Sequence, residues 1–309
     1  MPIVESGTVD SEDLEEGAVR VDRWACEHFL RLPSRKAARK ACKRGDLRLN
    51  DEPVESSRFV QPGDTVTLRA EDVERPPNEL VPEVVHADDH FAIVIKPAGV
   101  LTNGARYRTL ERGLPNAMKR SPEVDALAAP RPVHRLDYET WGLVAVARTQ
   151  RSLVALGHAF EERRVHKTYR AVVAGRLEGE GVVDTPLDGR PAVSRYRVVG
   201  HTRSLKVGWI TEVELHPETG RTHQLRRHLH ELGHPILGDA RYVDGPVLRK
   251  RGLFLAAVGL ALDHPTTGEP LSFRVDPPHK FPTFLAHQVV RWNKFHPDAP
   301  VPLRTEPPE

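Results

Sequence analysis

The chain has 309 residues, 45 of them lysine or arginine and 43 aspartate or glutamate, so its net charge is only +2. A chain that binds nucleic acid all over its surface is excluded, and any such surface must come from local clustering of charge. With 39% apolar and 28% charged residues the composition suits a folded globular protein, long enough for two domains. Cys26 and Cys42 are the only cysteines and form no Cys-x-x-Cys pair, which excludes a disulfide framework and suits small buried residues of a reducing compartment.

In chain order, residues 1–17 are acidic and lack the basic and apolar regions of a signal peptide. They are expected to form a flexible tail. Residues 18–72 are expected to be a small α/β unit. "RVDRWACEHFL" carries apolar residues at helical spacing. "PSRKAARKACKRGD" predicts a second helix, with Ser34 as its N-cap and Gly45 just past its end. Short strands follow, with turns at Asn50-Asp51 and Pro62-Gly63-Asp64. The charged, proline-rich stretch 73–82 reads as a linker.

Residues 83–285 mix strand-like runs ("FAIVI", "GLVAVA", "YRAVVAG", "WITEVEL") with helical stretches such as "RSLVALGHAFEERR". They show no regular β-α-β alternation, so an α+β domain is expected. Residues 286–309 form a C-terminal extension. The longest apolar run, 253–262, is far short of the roughly 18 residues that cross a bilayer. The expected location is the cytoplasm, with no membrane partner.

The second helix holds Arg35, Lys36, Arg39, Lys40, Lys43 and Arg44 within ten residues and no acid to pair with them along the helix. Cations around most of a helix suit phosphate binding. In the larger domain, Asp137 follows His134 and Arg135 and precedes an apolar strand. A carboxylate at a strand edge fits a nucleophile or base, and an ordinary turn aspartate fits as well. Arg226, in "THQLRRH", is the residue type that holds a carboxylate in a two-bond pair. Tyr169 sits in an alternating strand-like run, where a core-edge tyrosine is the plainer reading.

"HELGH", residues 230–234, spells the H-E-x-x-H pattern of zinc peptidases. That chemistry needs both histidines one turn apart on a regular helix. Gly233 and Pro235 should end the helix near Leu232, so a zinc site is not expected.

Larger patterns carry a resemblance. R-x-D-x-W, the basic helix ending K-R-G-D, then L-R-L-N-D-E-P-V and P-G-D-T-V resemble the small RNA-binding domain named after ribosomal protein S-four. From about 83 to 280, "IKPAGV", "HRLDYETWG", "KTYRAVVAG" and "ETGRTHQLRRHLHELGHPILGDARY" come in the order and spacing of the RluA-type RNA pseudouridine synthases. The resemblance implies a mixed, largely antiparallel central sheet with flanking helices. It implies isomerisation of uridine to pseudouridine in structured RNA, with large-subunit ribosomal RNA favoured by the N-terminal module. Transfer RNA is the alternative target, and a non-catalytic RNA-binding protein the alternative role.

By the same resemblance Asp137 is the catalytic aspartate, Tyr169 packs on the target base and Arg226 pairs with Asp137. Arg135 occupies the space left by the base or holds a phosphate. The six cations of the basic helix contact RNA. Neither cofactor nor metal is implied, and a monomer is expected. Three places depart from the family pattern. They are Trp141, where serine is usual, Ala256, where histidine is common, and "VLTNGARYRTL" after Gly99. Packing beneath the loop is the default reading of Trp141.

Overall fold

The computed structural model describes residues 3–14, 17–29, 31–32, 34–69, 79–104, 108–243 and 251–301. The chain divides into two compact units, Met1–Pro76 and Pro77–Glu309. Most of the expected linker lies outside the described residues.

The first unit has a four-stranded sheet in the order β1-β4-β2-β3 (β1, Ile3–Thr8; β2, Leu47–Leu49; β3, Glu52–Pro53; β4, Thr65–Arg69). It also holds helices α1 (Val21–His28) and α2 (Arg35–Arg44). Ser34 Oγ accepts from Ala37 N–H, and Gly45 closes α2 at φ 74°, as the sequence predicts. Asn50 and Asp51, at φ 52° and 65°, make the tight turn between β2 and β3.

The flexible tail expected over 1–17 is corrected. β1 pairs antiparallel with β4, and Asp13 accepts from Trp24 Nε1 at 2.7 Å. The acidic stretch therefore has a ladder partner and a fixed carboxylate, which its composition alone does not reveal. Trp24, Ala25, Ala38, Ala41, Leu47 and Val66 form the core, so the small-residue face of α2 lets α1 and the sheet approach closely.

The basic helix has no acid along its own length, as the sequence shows, but it takes carboxylate partners from neighbouring segments. Asp22, buried on α1, accepts from Arg39 Nε at 2.7 Å and from Arg35 Nη2, and Arg44 pairs with Asp46 at 2.5 Å. The acids absent along α2 come from neighbouring segments. Lys36, Lys40 and Lys43 stay exposed.

The second unit is α+β, built on a ten-stranded, mostly antiparallel sheet. Its strands are β5 (Glu83–Ala87), β6 (Phe91–Lys96), β7 (Ala126–Pro132), β8 (Trp141–Thr149), β9 (His166–Ala174), β10 (Glu180–Val183), β11 (Ser194–Ser204), β12 (Gly208–Pro217), β13 (Leu255–Asp263) and β14 (Pro270–Arg274). The order is β10-β11-β12-β9-β13-β8-β6-β5, with β7 beside β8 and β14 beside β13. Helices α3 (Leu110–Ala117), α4 (Gln150–Glu161), α5 (Gln224–Glu231) and α6 (Lys280–Phe295) complete it.

β8 is apolar on both faces because both are covered. Leu143 and Ala145 pack with Leu156 and Ala159 of α4. Val144 and Val146, pointing the other way, pack with Leu110 and Leu114 of α3. β8 meets β13 in the one parallel pairing among the described strands of this sheet. Gly142, at φ 135°, permits it, because a Cβ there would collide with the Ala257 backbone. The boundary expected at 285/286 falls inside α6 and is corrected. Phe281, Phe284 and Val289 are buried along this helix, and Gln288 accepts from Ser204 Oγ of β11 at 2.9 Å.

Candidate active site

Asp137 sits on the loop between β7 and β8, and that loop is pinned on both sides of it. Leu136 N–H donates to Thr102 Oγ1 at 3.1 Å, and Thr102 Oγ1 donates back to the Leu136 carbonyl at 3.2 Å. Gly99 N–H donates to the Tyr138 carbonyl at 2.8 Å. Lys96 Nζ, fully buried, donates to the carbonyls of Val100 (2.7 Å), Pro97 (3.0 Å) and Tyr138 (3.4 Å). The departing segment after Gly99 thus supplies an anchor for the Asp137 loop.

Burial pushes the Lys96 ammonium down to about 8, partly opposed by the charge of Asp137. This has a measurable consequence. The unfolded lysine keeps its ordinary value of 10.5. Between about 8 and 10.5 the unfolded chain holds a proton that the folded chain lacks, so stability rises with pH across that window. Urea unfolding should show this rise in the wild type and a smaller one in Lys96→Met. Equal slopes in the two proteins would contradict it.

α5 brings Arg226 to the loop. Its expected pairing with Asp137 is present as a single 3.8 Å ion pair, while its two-bond pair forms with Asp239. Arg226 Nε and Nη2 donate to Asp239 Oδ2 and Oδ1 at 2.7 and 2.8 Å, with both side chains buried. Arg226 Nη1 stands 3.8 Å from Asp137 Oδ2, and Nη2 stands 3.4 Å from Glu139 Oε2. Desolvation opposes the Arg226 charge, but the Asp239 bonds and the nearby carboxylates outweigh it and push the guanidinium up. Burial likewise works against the Asp239 carboxylate. Its bonds from Arg226 and from the N–H groups of Arg241 and Tyr242 prevail and hold it below the usual range. Gly238 precedes it at φ 79°, and a Cβ there would run into the Gly252 carbonyl. Glycine is thereby required at this position, directly before Asp239.

His223 was not singled out by the sequence. It precedes α5 in a left-handed conformation, φ 55°. Its Nε2 lies 3.9 Å from Asp137 Oδ1, and its Nδ1 hydrogen-bonds Tyr242 Oη at 3.0 Å. Burial lowers its pKa, with Asp137 opposing. Tyr242 in turn covers Arg226, whose Cζ is 5.3 Å from the ring centre.

Tyr169 projects from β9 and is partly buried. Desolvation, then the Asp137 charge, pushes its hydroxyl up, so it stays neutral. Asp137, Tyr169, Arg226, His223 and the exposed Arg135 all line one cavity of about 520 Å³. The cations of α2 belong to the first unit.

Trp141 does not line this cavity; it packs into the cores beneath. It is the register neighbour of Ala256 on β13, so two of the three departures share one spot in the sheet. Among the described residues no group of three or more His, Cys, Asp or Glu side chains is placed to hold a metal ion. α5 stops at Glu231, and His234 instead hydrogen-bonds the Ala174 carbonyl through Nδ1 at 2.9 Å. The zinc-peptidase pattern is therefore split between a helix and the loop after it. No described helix is long and apolar enough to cross a membrane.

The comparisons with known proteins return the same α+β sheet domain. A family model described as RNA pseudouridylate synthase matches residues 90–231. The chain is 31% identical over 307 residues to the ribosomal large subunit pseudouridine synthase D of Vibrio parahaemolyticus, covering 89% of this chain and 92% of that one. It is 37% identical over 223 residues to the dual-specificity RNA pseudouridine synthase RluA of Pasteurella multocida, covering 65% and 96%. Among solved structures, human RNA pseudouridylate synthase domain containing 1 matches with a TM-score of 0.55 at 25% identity, covering 72% of this chain and 96% of that one. The chain belongs to the RNA pseudouridylate synthase family.

Proposed function

We propose that this enzyme converts uridine to pseudouridine in large-subunit ribosomal RNA, with Asp137 as the catalytic group. The observation that carries this reading is the Asp137 carboxylate, held on a doubly pinned loop in the cavity that Tyr169 and Arg226 also line. In the reaction the bond from ribose C1′ to uracil N1 breaks, the ring turns, and C1′ bonds to C5. The C5 proton leaves and N1 gains one, so the isomerisation balances without redox or net use of water. Asp137 serves by attack on C1′, by addition to the ring, or by taking a ribose proton; the geometry is compatible with each.

A uridine inside a stem must first leave the stack, at a cost of a few kcal/mol. Stacking of the base on the Tyr169 ring would return about 1–3 kcal/mol. Arg135, exposed at the cavity, is suited to the gap or to a phosphate. Arg226, locked by Asp239, supplies a fixed positive charge near Asp137 without reorganising during the reaction.

The ribosomal target rests on the relative from Vibrio parahaemolyticus, whose name specifies the large subunit. The dual-specificity relative keeps a second reading, transfer RNA, as the alternative. Mapping pseudouridines in ribosomal and transfer RNA from cells with and without this protein tests the two. Loss of a large-subunit site supports the first reading, and loss confined to transfer RNA replaces it.

The first unit is proposed as an S-four-type RNA-binding module, with Lys36, Lys40 and Lys43 as its phosphate contacts. Replacing all three with glutamine is expected to reduce the salt slope of RNA binding by about 2.1–2.7, at roughly 0.7–0.9 per lost contact. An unchanged slope in Kd against salt would remove this surface from the interface.

A further inference from the structure

We propose that Arg163 and Lys167, with Arg135, form a phosphate subsite in the active-site cavity, taking a phosphodiester that flanks the flipped uridine. The proposal rests on the RNA-modifying reading above. All three residues line the cavity, and among the described residues none has a carboxylate partner at ion-pair distance. The other acids of the lining are partly spoken for, since Glu218 pairs with Arg195 at 2.5 Å and Asp137 faces Arg226 and His223. Glu161, the last residue of α4, also lines the cavity.

Lys167 is the more telling member. It is two residues from Tyr169 on β9, so both side chains leave the same face of the strand, roughly 7 Å apart along it. That is the scale of one nucleotide, from a base on Tyr169 to the phosphate beside it. Behind Lys167 stands His134, whose ring stacks on Phe160 at 4.4 Å and accepts from Ala145 N–H. Burial, then the charge of Lys167, pushes His134 down to about 3, so it stays neutral and adds no further positive charge beside Lys167. Burial and the neighbouring Arg163 push the Lys167 ammonium down as well. A half-buried cation with a second cation beside it and no carboxylate at ion-pair distance is a poor arrangement for an empty cavity. An incoming phosphate relieves it.

Arg163 supplies an independent sign. It follows α4 at φ 60°, while Arg164 N–H closes the helix end on the Ala159 carbonyl at 2.9 Å. Glycine is the low-cost residue at such a helix end, and a side chain there carries about 1 kcal/mol of strain or more. An arginine kept in that conformation, with its side chain at the cavity, points to a use for the guanidinium.

The test uses Arg163→Gly, which relieves the backbone, and Lys167→Met, which keeps the aliphatic stem. Arg291→Ala, an exposed change on α6, is the control. Binding to ribosomal RNA labelled with tritium at uridine C5 is measured across salt, and tritium release is followed in single turnover. Each variant should weaken binding about tenfold at low salt, the scale of a charged hydrogen bond. Each should reduce the salt slope by about 0.7, and the pair by about 1.4. Arg163→Gly should unfold no earlier in urea than the wild type. A double variant with wild-type slope and affinity would overturn the subsite. A wild type that binds RNA but releases no tritium would overturn the reaction reading instead, with the subsite still judged by the slopes.

Discussion

Asp137→Asn is expected to lower turnover by about 10⁴-fold, the upper range for a positioned acid, base or nucleophile. RNA affinity should stay within about threefold of wild type. The two readouts separate because of where Asp137 sits. Its loop is held by Thr102, Gly99 and Lys96 through backbone atoms of Leu136 and Tyr138, and none of these bonds uses the Asp137 side chain. The amide is isosteric and leaves Arg226 locked to Asp239. Tyr169, Arg135 and the proposed phosphate contacts also remain. Single-turnover tritium release and a separate binding titration check this. Turnover retained within tenfold would remove Asp137 from its role.

The second large effect concerns the Arg226–Asp239 pair. Removing one partner of a buried pair leaves the other charge uncompensated and costs about 3–5 kcal/mol. Asp239→Ala should therefore lower the urea midpoint markedly. Asp239→Asn keeps the shape but loses the charge, and Arg226 is then free to swing onto Asp137 or Glu139, which stand at 3.8 and 3.4 Å. A displacement of about 1 Å near the reacting atoms costs on the order of 100-fold in rate. Asp239→Asn should show that loss in kcat with little change in KM. Arg226→Lys should not restore function, since an ammonium cannot make both bonds. If Asp239→Asn kept full kcat while its stability fell, Asp239 would be a purely structural partner.

Much of the site was legible because its residues sit in long motifs whose order is fixed. Asp137, Tyr169 and Arg226 were named from sequence, and all three line one cavity. The two-bond partner of Arg226 was not. Asp239 lies 13 residues on, beyond the end of α5, and only the left-handed turn at Gly238 aims it back. Spacing along a chain cannot reveal such a return. His223 escaped for a similar reason. Its left-handed backbone before α5 turns its ring towards Asp137, and histidine gives no local sign of that conformation.

The charge readings failed in the same way twice. Asp13 and Asp22 belong to different segments from their partners, so a tail read as flexible and a helix without acids of its own both hold tertiary contacts. The α+β class and the helix ends, by contrast, follow from periodicity and capping residues. Those signals are local, and the tertiary structure agrees with them at Ser34 and Gly45.

The central claim is that this cavity breaks and re-forms a uridine glycosidic bond with Asp137. The most direct measurement is tritium release from ribosomal RNA labelled at uridine C5, comparing wild type with Asp137→Asn at equal RNA occupancy. The account predicts stoichiometric release by the wild type, with pseudouridine in the digested product, and none above background from the variant. Equal release by both proteins, or no release by the wild type from RNA it binds, would contradict it.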